Sequence, residues 1–252
     1  RGISIDLGFS YFDLPSGQRA GIIDVPGHEK FVKNMMTGTF GMDMILLCID
    51  CKEGVMPQTV EAINHAKAAG IPIVVAINKI DKEVADPNRV KQELMEHGLV
   101  SEEWGGDTIM VPVSAHTGEG IDELLEMVLL VAEMRELKAN PNRRAVGIIV
   151  EAQLDKARGA VATVLVQKGT LHAGDYVVTG SASGRIRAMF NSLGEAIEEA
   201  TPSMPAQILG LSDVAEAGDM IYAVEDEKLA REFADRAAEF KREEHLKAKA
   251  NT

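Results

Sequence analysis

The first half of the chain alternates apolar runs with amphipathic segments, a pattern typical of sheets that have helices on both faces. The runs at 44–49 and 71–77 are almost continuously apolar, as expected for parallel strands that are buried on both faces. The segments 57–70 and 87–98 each have a proline near their start and a glycine at their end, which indicates two helices. A third helix is predicted from apolar residues at helical spacing: Ile121, Leu124, Leu125, Val128 and Leu129. The strand candidates are 3–12, 19–24, 42–50, 71–78 and 108–115, and together these elements predict a partial doubly wound α/β domain.

The pattern changes after a polar linker at 137–144. From 145 to 224, short β-branched runs separated by glycine-containing turns predict a small antiparallel β-barrel. The last stretch is rich in charge and predicts a C-terminal helix, which is more often a connector or a solvated surface helix than a functional site. The predicted domains are an α/β domain at 1–140, a β-barrel at 145–225 and a connector helix at 226–252.

Composition and charge limit the classes of function. The chain has 252 residues, of which 46% are hydrophobic, and a formal net charge of -13. This size suggests one large or two ordinary domains. The negative charge disfavours loose binding to nucleic acid, so any contact with RNA must be local. No apolar run reaches the about 18 residues that span a membrane, and no apolar signal segment follows Arg1. We therefore expect a soluble, cytoplasmic protein that binds no membrane.

The two cysteines, Cys48 and Cys51, have the C-x-x-C spacing of some metal and redox sites. A zinc site needs four ligands, and no second Cys/His pair follows at ligand spacing. In a strand, residues three apart point to opposite faces, which places two thiols badly for a disulfide. The favoured interpretation is two small apolar residues at the end of a strand.

Three short motifs follow three successive predicted strands of the α/β domain. They are DVPG at 24–27, NKID at 78–81 and SA at 114–115. Each motif alone is a weak signal, because such strings also form ordinary turns and helix caps. Their shared position at the carboxyl ends of strands, where such sheets bind ligands, favours a nucleotide site.

The second and third motifs suit a guanine base. Asp81 can accept from the N1–H and the 2-amino group that guanine presents side by side, whereas adenine has no such donor pair. Asn78 can bond the base or hold the neighbouring loop, and the alkyl stem of Lys79 can lie along the base plane. The backbone N–H of Ala115 can reach the guanine oxygen, and Ser114 would brace that loop.

The first motif suits phosphates and a metal ion. Asp24 can hold the ligand shell of Mg²⁺, and the N–H of Gly27 can approach a γ-phosphate because glycine has no Cβ. His28 could orient an attacking water, the alternative being an exposed residue at a helix start. The hydroxyl of Ser4 is a candidate Mg²⁺ ligand, although a serine before a strand needs no function.

These 252 residues contain no GxxxxGK[ST] phosphate loop. Such a loop supplies a row of backbone N–H groups and a lysine for the β- and γ-phosphates. We therefore expect the 252 residues alone to bind GTP poorly and to be inactive as a hydrolase.

The motifs resemble those of the translational GTPases, and the resemblance covers nearly the whole chain. RGISIDLGF, DVPGHEKFVKNM and GMD, all before residue 50, resemble the selenocysteine-specific elongation factor and elongation factor Tu. EGVMPQTVEAINHAKAAGIPIVVAINKID, DKARGAVATVLVQKGTL and ILGLSDVAEAGD, all after residue 51, resemble the bacterial initiation factor two branch of this family. The longer match places the chain nearest to the initiation branch.

The resemblance implies a GTP-binding domain of the P-loop GTPase type followed by the family's β-barrel domain, with GTP and Mg²⁺ as cofactors. It implies a factor that promotes initiator tRNA binding and ribosomal subunit joining, with hydrolysis of GTP to GDP and phosphate. The partners would be ribosomal RNA and ribosomal proteins, with initiator tRNA bound through a family portion absent from this sequence, and a monomer is expected. Two alternatives stay open: a non-catalytic ribosome-binding module, and an elongation factor that delivers selenocysteinyl-tRNA.

The sequence departs from the family pattern in three places. Ser4 replaces the threonine of RGIT, which keeps the hydroxyl and therefore the metal ligation. His116 replaces the lysine common in SAK, which removes a cation that would pack against the base loop. The family's phosphate loop, first strand and first helix are absent. By resemblance, that strand lies between the strands ending at Asp24 and near Asp50, so its loss should leave unpaired edges or force those strands together.

Overall fold

The computed structural model describes residues 8–13, 17, 19–25 and 42–250. The described residues form two compact units, one made of residues 42–138 and the other of residues 8–25 and 139–250. In chain order, the strands are β1 (Gly8–Asp13), β2 (Arg19–Asp24), β3 (Ile45–Asp50), β4 (Ile73–Asn78), β5 (Ile109–Pro112), β6 (Val146–Asp155), β7 (Gly159–Lys168), β8 (Leu171–His172), β9 (Tyr176–Thr179), β10 (Ala182–Phe190), β11 (Ala196–Ile197), β12 (Glu199–Ala200), β13 (Pro205–Leu211) and β14 (Met220–Val224). The helices are α1 (Pro57–Ala68), α2 (Pro87–Glu96), α3 (Ile121–Met134) and α4 (Glu227–Ala250).

The unit of residues 42–138 contains a three-stranded parallel sheet in the order β3-β4-β5. Strand β4 is central, and its residues Val74, Val75, Ala76 and Ile77 are all buried, which explains why its sequence is continuously apolar. Helices α1 and α2 contribute Ile63, Val90 and Leu94 to the core on one face. Helix α3 contributes Leu124 to the core on the other face.

Helix boundaries in this unit follow from the local sequence. Helix α2 begins after Asp86, whose carboxylate accepts hydrogen bonds from the N–H groups of Asn88 and Arg89 at 3.1 and 3.2 Å. Pro87 occupies the first helical position, where a missing N–H removes no helical hydrogen bond. The helix therefore starts at Pro87, six residues after Asp81 and close to the candidate base loop.

Strand β3 is an edge strand of the described parallel sheet, since it pairs with β4 alone among the strands that the structure describes. Leu46 lies on the more exposed face of β3 and is 44% exposed.

The prediction that residues 19–24 form a strand of the α/β sheet is wrong for the described structure. Strand β2 pairs antiparallel with β1, in a hairpin that belongs to the same unit as the β-barrel. The physical reason is packing: Tyr11 lies against the barrel core, and a Cβ on Gly21 would lie 2.3 Å from the carbonyl oxygen of Ser203. Arg19 stacks over the Tyr11 ring at 4.4 Å and binds Asp13 at 2.7 and 3.0 Å.

Residues 145–224 form a closed six-stranded antiparallel barrel. The strand order is β10-β13-β7-β6-β14-β9, and β9 also pairs with β10, which closes the sheet and leaves no open edge between these strands. Strand β11 adds to β10, and β8 pairs with β12. The barrel interior contains Ile149, Val164, Val177, Met189, Ile208 and Ile221.

Helix α4 follows the barrel and packs against β9, β10 and β14. Asp226 caps its start by accepting a hydrogen bond from the N–H of Leu229 at 2.8 Å, and Ala230 and Ala234 are buried. Among the helices that the structure describes, none combines the length and the apolar character that crossing a bilayer requires. The predicted fold class, a partial doubly wound α/β domain followed by a small antiparallel barrel and a C-terminal helix, is confirmed.

Candidate functional site

Five of the predicted site residues lie together at the carboxyl end of the parallel sheet. Asn78 is the last residue of β4, and Lys79 and Asp81 follow it. Ser114 and Ala115 follow β5, the neighbouring strand, after Val113. Because parallel strands bring their carboxyl ends to one edge, two motifs that are far apart in sequence form one loop cluster.

The side chain of Asn78 connects the two loops. Its Oδ1 atom accepts hydrogen bonds from the backbone N–H of Lys79 at 2.7 Å and from that of Ala115 at 3.0 Å. Of the two roles open to Asn78, bonding the base or holding the neighbouring loop, this geometry provides the second. The Ala115 N–H, expected to reach the guanine oxygen, is therefore donated to Asn78, and a bound base would have to share or displace that hydrogen bond.

Lys79 adopts a left-handed backbone conformation, with φ at 68°. This conformation is unfavourable for a residue with a Cβ and is found mostly where the surroundings require it. Two hydrogen bonds flank the residue: the Asn78 side chain accepts its N–H, and the N–H of Ile80 is donated to the Val113 carbonyl at 3.3 Å. Its ammonium group binds Oδ2 of Asp50 at 2.5 Å.

Asp50 is a site residue that the motifs did not identify. It ends β3 and pairs in register with Asn78 on β4. Partial burial tends to raise the pKa of Asp50, but hydrogen bonds from Lys79 and from the N–H groups of Lys52 and Glu53 outweigh it and lower the pKa. The hydrogen bond between Lys79 and Asp50 raises the pKa of Lys79. The signal available in the sequence was an acidic residue at the carboxyl end of a third parallel strand.

Asp81 is oriented by Ser114. The Ser114 hydroxyl, which is fully buried, donates a hydrogen bond to Oδ1 of Asp81 at 2.7 Å and accepts one from the N–H of Thr117 at 3.2 Å. The hydrogen bond from Ser114 is the largest cause that lowers the pKa of Asp81, and Lys82, 3.5 Å from Oδ2, adds to it. The carboxyl group of Asp81 is therefore held ionised and in a fixed position.

The donors and acceptors of this cluster fit a guanine base. A carboxylate has about four lone-pair positions, so Asp81 can accept two further hydrogen bonds besides that from Ser114. The Asp81 side chain is 17% exposed, so a base can reach it. Lys79 belongs to the same loop, two residues before Asp81. A base with two adjacent donors would satisfy this carboxylate, whereas adenine would leave it unpaired.

The residues predicted for the phosphate and metal end are described only in part. Asp24 is the last residue of β2, is exposed, and belongs to the unit that contains the barrel. Ser4, Gly27 and His28 lie outside the described residues. Within residues 8–25 and 42–250 as described, no three His, Cys, Asp or Glu side chains come together as a metal site. Cys48, on β3, is exposed, and Cys51, which follows the end of β3, is fully buried.

Family models match both parts of the chain. The model described as "Elongation factor Tu GTP binding domain" matches residues 1–134, and the model described as "Elongation factor G domain 2" matches residues 144–224. The parallel sheet of the GTP-binding domain, followed by a β-barrel, is the architecture of the translational GTPases. The chain belongs to the elongation factor Tu GTP-binding domain family.

Curated relatives are similar over most of the chain. A protein of Finegoldia magna named "Translation initiation factor IF-2" is 62% identical over 226 residues, which are 90% of this chain and 30% of the relative. A protein of the same name from Clostridium tetani is 55% identical over 97% of this chain and 36% of its own length. The chain thus spans about a third of the length of the curated relatives that it matches.

Solved structures share the fold. The crystal structure of the bacterial selenocysteine-specific elongation factor EF-Sec is 29% identical, with a TM-score of 0.66 over 88% of this chain and 38% of that chain. The elongation factor SelB from Methanococcus maripaludis, in complex with the GTP analogue GPPNHP, is 25% identical, with a TM-score of 0.65 over 87% and 49% of the two chains. GDP-bound aIF5B from Aeropyrum pernix has a TM-score of 0.70 at 24% identity, covering 87% of this chain and 45% of that one.

Proposed function

We propose that the chain is the GTP-binding and β-barrel portion of a translation initiation factor, and that it recognises guanine through Asn78, Lys79, Asp81, Ser114 and Ala115. The observation that carries this proposal is the hydrogen bond from the buried Ser114 hydroxyl to Asp81. A buried donor that orients an ionised carboxylate at the end of a parallel sheet suits a base with two adjacent N–H donors. The Methanococcus maripaludis relative, solved with a GTP analogue, supports the same ligand class.

Each residue of the cluster has a distinct task in this proposal. Asp81 selects guanine by accepting from its N1–H and 2-amino groups. Lys79, anchored by Asp50, presents its alkyl stem to the base plane. Asn78 holds the Ala115 amide, whose N–H the guanine oxygen would share with Asn78 or take from it. These tasks concern binding, so they set affinity and base preference rather than the rate of the chemical step.

The phosphate end of the proposal rests on the family resemblance. Asp24 and Ser4 would hold Mg²⁺, Gly27 would touch the γ-phosphate, and His28 would orient the attacking water. Mg²⁺, when bound, would neutralise the charge of the phosphates. We also propose the domain assignment predicted from the sequence: residues 1–140 as the GTP-binding domain, 145–225 as the translation-factor barrel, and 226–252 as a connector helix. The strands β1 and β2 are in the same compact unit as the barrel, but they lie within the residues 1–134 that the GTP-binding family model matches, and the proposed assignment follows that match.

The initiation step is proposed because of the relatives. Identity of 55 to 62% with proteins named initiation factor IF-2 exceeds the 29% identity with the selenocysteine-specific factor EF-Sec. The proposed partners are ribosomal RNA and ribosomal proteins, with initiator tRNA engaged by a further part of the protein. The proposed state is a cytoplasmic monomer. The alternatives are a non-catalytic ribosome-binding module and a factor that delivers selenocysteinyl-tRNA.

A test of the proposal uses an extended chain, in which the family's phosphate loop, first strand and first helix precede residue 1. Calorimetric titration should show binding of GDP and GTP by this chain and weak or no binding of ADP and ATP. The 252-residue chain, titrated in parallel, should bind GTP poorly, because it contains no phosphate loop motif. Ribosome-stimulated release of phosphate from GTP would favour the enzyme, whereas ribosome binding without nucleotide binding would favour the module.

A further inference from the structure

The turn that follows β3, residues 51–55, is held by the side chains of helix α2. Arg89 donates hydrogen bonds from Nη2 to the carbonyl oxygens of Lys52 at 2.7 Å and Cys51 at 3.3 Å. Glu93, one helical turn later, accepts a hydrogen bond from the N–H of Val55 at 2.8 Å. The two side chains also form an ion pair with each other at 3.6 Å. One face of α2 therefore satisfies both donors and acceptors of this turn.

The backbone conformation of this turn permits the contacts with Arg89 and Glu93. Gly54 has φ at 76°, a left-handed value that favours glycine. A Cβ on Gly54 would lie 2.4 Å from Oε2 of Glu93, so the close approach of the carboxylate requires glycine. The N–H of Gly54 is donated to the carbonyl oxygen of Asp50 at 2.9 Å, which completes the turn.

The backbone of the turn 51–55 determines where the Asp50 carboxylate lies. Oδ1 of Asp50 accepts hydrogen bonds from the N–H groups of Lys52 and Glu53 at 2.8 and 3.4 Å, so the turn backbone orients the side chain. Oδ2, the other oxygen, binds the ammonium group of Lys79. A continuous set of hydrogen bonds therefore connects Arg89 and Glu93 to Lys79 through Asp50.

We propose that Arg89 and Glu93 are positioning residues for guanine binding, which act by fixing the turn 51–55 and thereby the Asp50–Lys79 pair. This inference rests on the proposed function, since it gives Arg89 and Glu93 a role in base binding that acts through the turn and Asp50. The Lys79 side chain is 53% exposed, and its ion pair with Asp50 gives the ammonium group a defined position. Loss of the contacts that Arg89 and Glu93 make with the turn leaves Asp50, the partner of Lys79, mobile and lowers the affinity for the base.

A double-mutant cycle distinguishes the positioning role of Arg89 and Glu93 from a purely structural role, which makes a different prediction. In the extended chain, Arg89→Ala and Glu93→Ala are made in the parental background and in an Asp50→Asn background, and the Kd for GDP is measured by calorimetry. Arg89→Lys and Glu93→Gln test rescue, because lysine keeps a charged donor and glutamine keeps the oxygen acceptor. Gln92→Ala is the matched control, since Gln92 lies on the exposed side of the same helix.

The expected result is a Kd for GDP that rises about tenfold in Arg89→Ala and in Glu93→Ala. In the Asp50→Asn background the same substitutions should change the Kd by less than about twofold, because the connection to Lys79 is already broken. Glu93→Gln and Gln92→Ala should stay near the parental Kd. Equal losses in both backgrounds, or unchanged Kd values in the alanine variants, would overturn the proposal. Failure of the parental extended chain to bind GDP would instead overturn the proposed function, and this inference with it.

Discussion

The hydroxyl group of Ser114 donates a 2.7 Å hydrogen bond to Oδ1 of Asp81, a residue 33 positions earlier in the chain. The bond joins the loop after β5 to the loop after β4 and orients the carboxylate that is proposed to select guanine. Because Ser114 is fully buried, its hydroxyl depends on this acceptor, and the two residues should respond to substitution as a pair.

The first prediction concerns the base preference of Asp81. In the extended chain, Asp81→Asn should weaken GTP binding by about 1 to 3 kcal/mol and improve binding of xanthosine triphosphate. The reason is that the amide presents a donor where guanine also has one, whereas xanthine has an acceptor there. Competition titration measures the change, with the exposed residue variant Asp107→Asn as control. An unchanged preference for guanine would remove Asp81 from the role of base selector.

The second prediction concerns pH. The hydrogen bond from Ser114 lowers the pKa of Asp81, so the carboxylate persists to a lower pH than an ordinary aspartate. Binding that needs this carboxylate should be constant above the ordinary carboxyl range and should weaken as pH falls through the lowered pKa. In Ser114→Ala the pKa rises towards its ordinary value, so the weakening should begin at higher pH. GDP affinity measured across acidic pH checks this, and identical profiles for Ser114→Ala and the parent would contradict it.

The third prediction concerns the Asp50–Lys79 pair and the stability of the unit of residues 42–138. Asp50→Asn removes an ion pair whose lysine side chain is 53% exposed, so the expected loss is below about 1 kcal/mol. The pKa of Asp50 is lowered in the folded state, so its contribution is present above the unfolded value and is lost as pH falls through the folded value. Denaturant unfolding should therefore show a difference between variant and parent at neutral pH that disappears in acid.

Several parts of this architecture were accessible from the sequence because they depend on local patterns. The apolar run of β4 requires burial on both faces, and the barrel strands are short β-branched runs separated by glycine-containing turns, so both were predicted. The pairing partner of β2 was not accessible, because the apolar residues within RAGIID indicate a strand without indicating the sheet to which it belongs. Its place beside the barrel depends on long-range contacts of Tyr11 and Gly21, which no local pattern encodes.

The candidate site shows the same division. Asn78, Lys79, Asp81, Ser114 and Ala115 were predicted as a cluster because strand ends in a parallel sheet meet at one edge. Asp50 obeys the same rule, but an aspartate followed by a glycine-containing turn is also an ordinary turn residue, so the sequence alone did not distinguish it. The left-handed conformation of Lys79 has no local signal, since lysine has a Cβ and the conformation follows from the hydrogen bonds of its neighbours.

The fourth prediction concerns His28, which lies outside the described residues. In the extended chain, His28→Ala should leave the affinity for GTP near that of the parent and should slow ribosome-stimulated hydrolysis. A group that orients water acts in the transition state rather than in ground-state binding, so kcat should fall while the Kd stays constant. A turnover rate equal to that of the parent would exclude His28 from the catalytic residues.

The fifth prediction concerns the relative stability of the two units in the 252-residue chain. The barrel closes on itself through the β9–β10 pairing, whereas β3 has an edge that is unpaired among the described strands and carries the partly exposed Leu46. Backbone amides at such an edge exchange by local opening, so amides of β3 should exchange faster than those of β7.

Hydrogen exchange read by mass spectrometry measures this order, and two matched core substitutions sharpen it. Ile77→Ala in the parallel sheet and Ile208→Ala in the barrel each remove a fully buried side chain, with an expected loss of about 2 to 5 kcal/mol. Ile77→Ala should raise the exchange rate of amides in residues 42–138, while the amides of β7 keep the exchange rate of the parent chain. Ile208→Ala should accelerate exchange in the barrel strands. Protection of β3 equal to that of β7 in the parent chain would show that the open edge does not weaken the sheet.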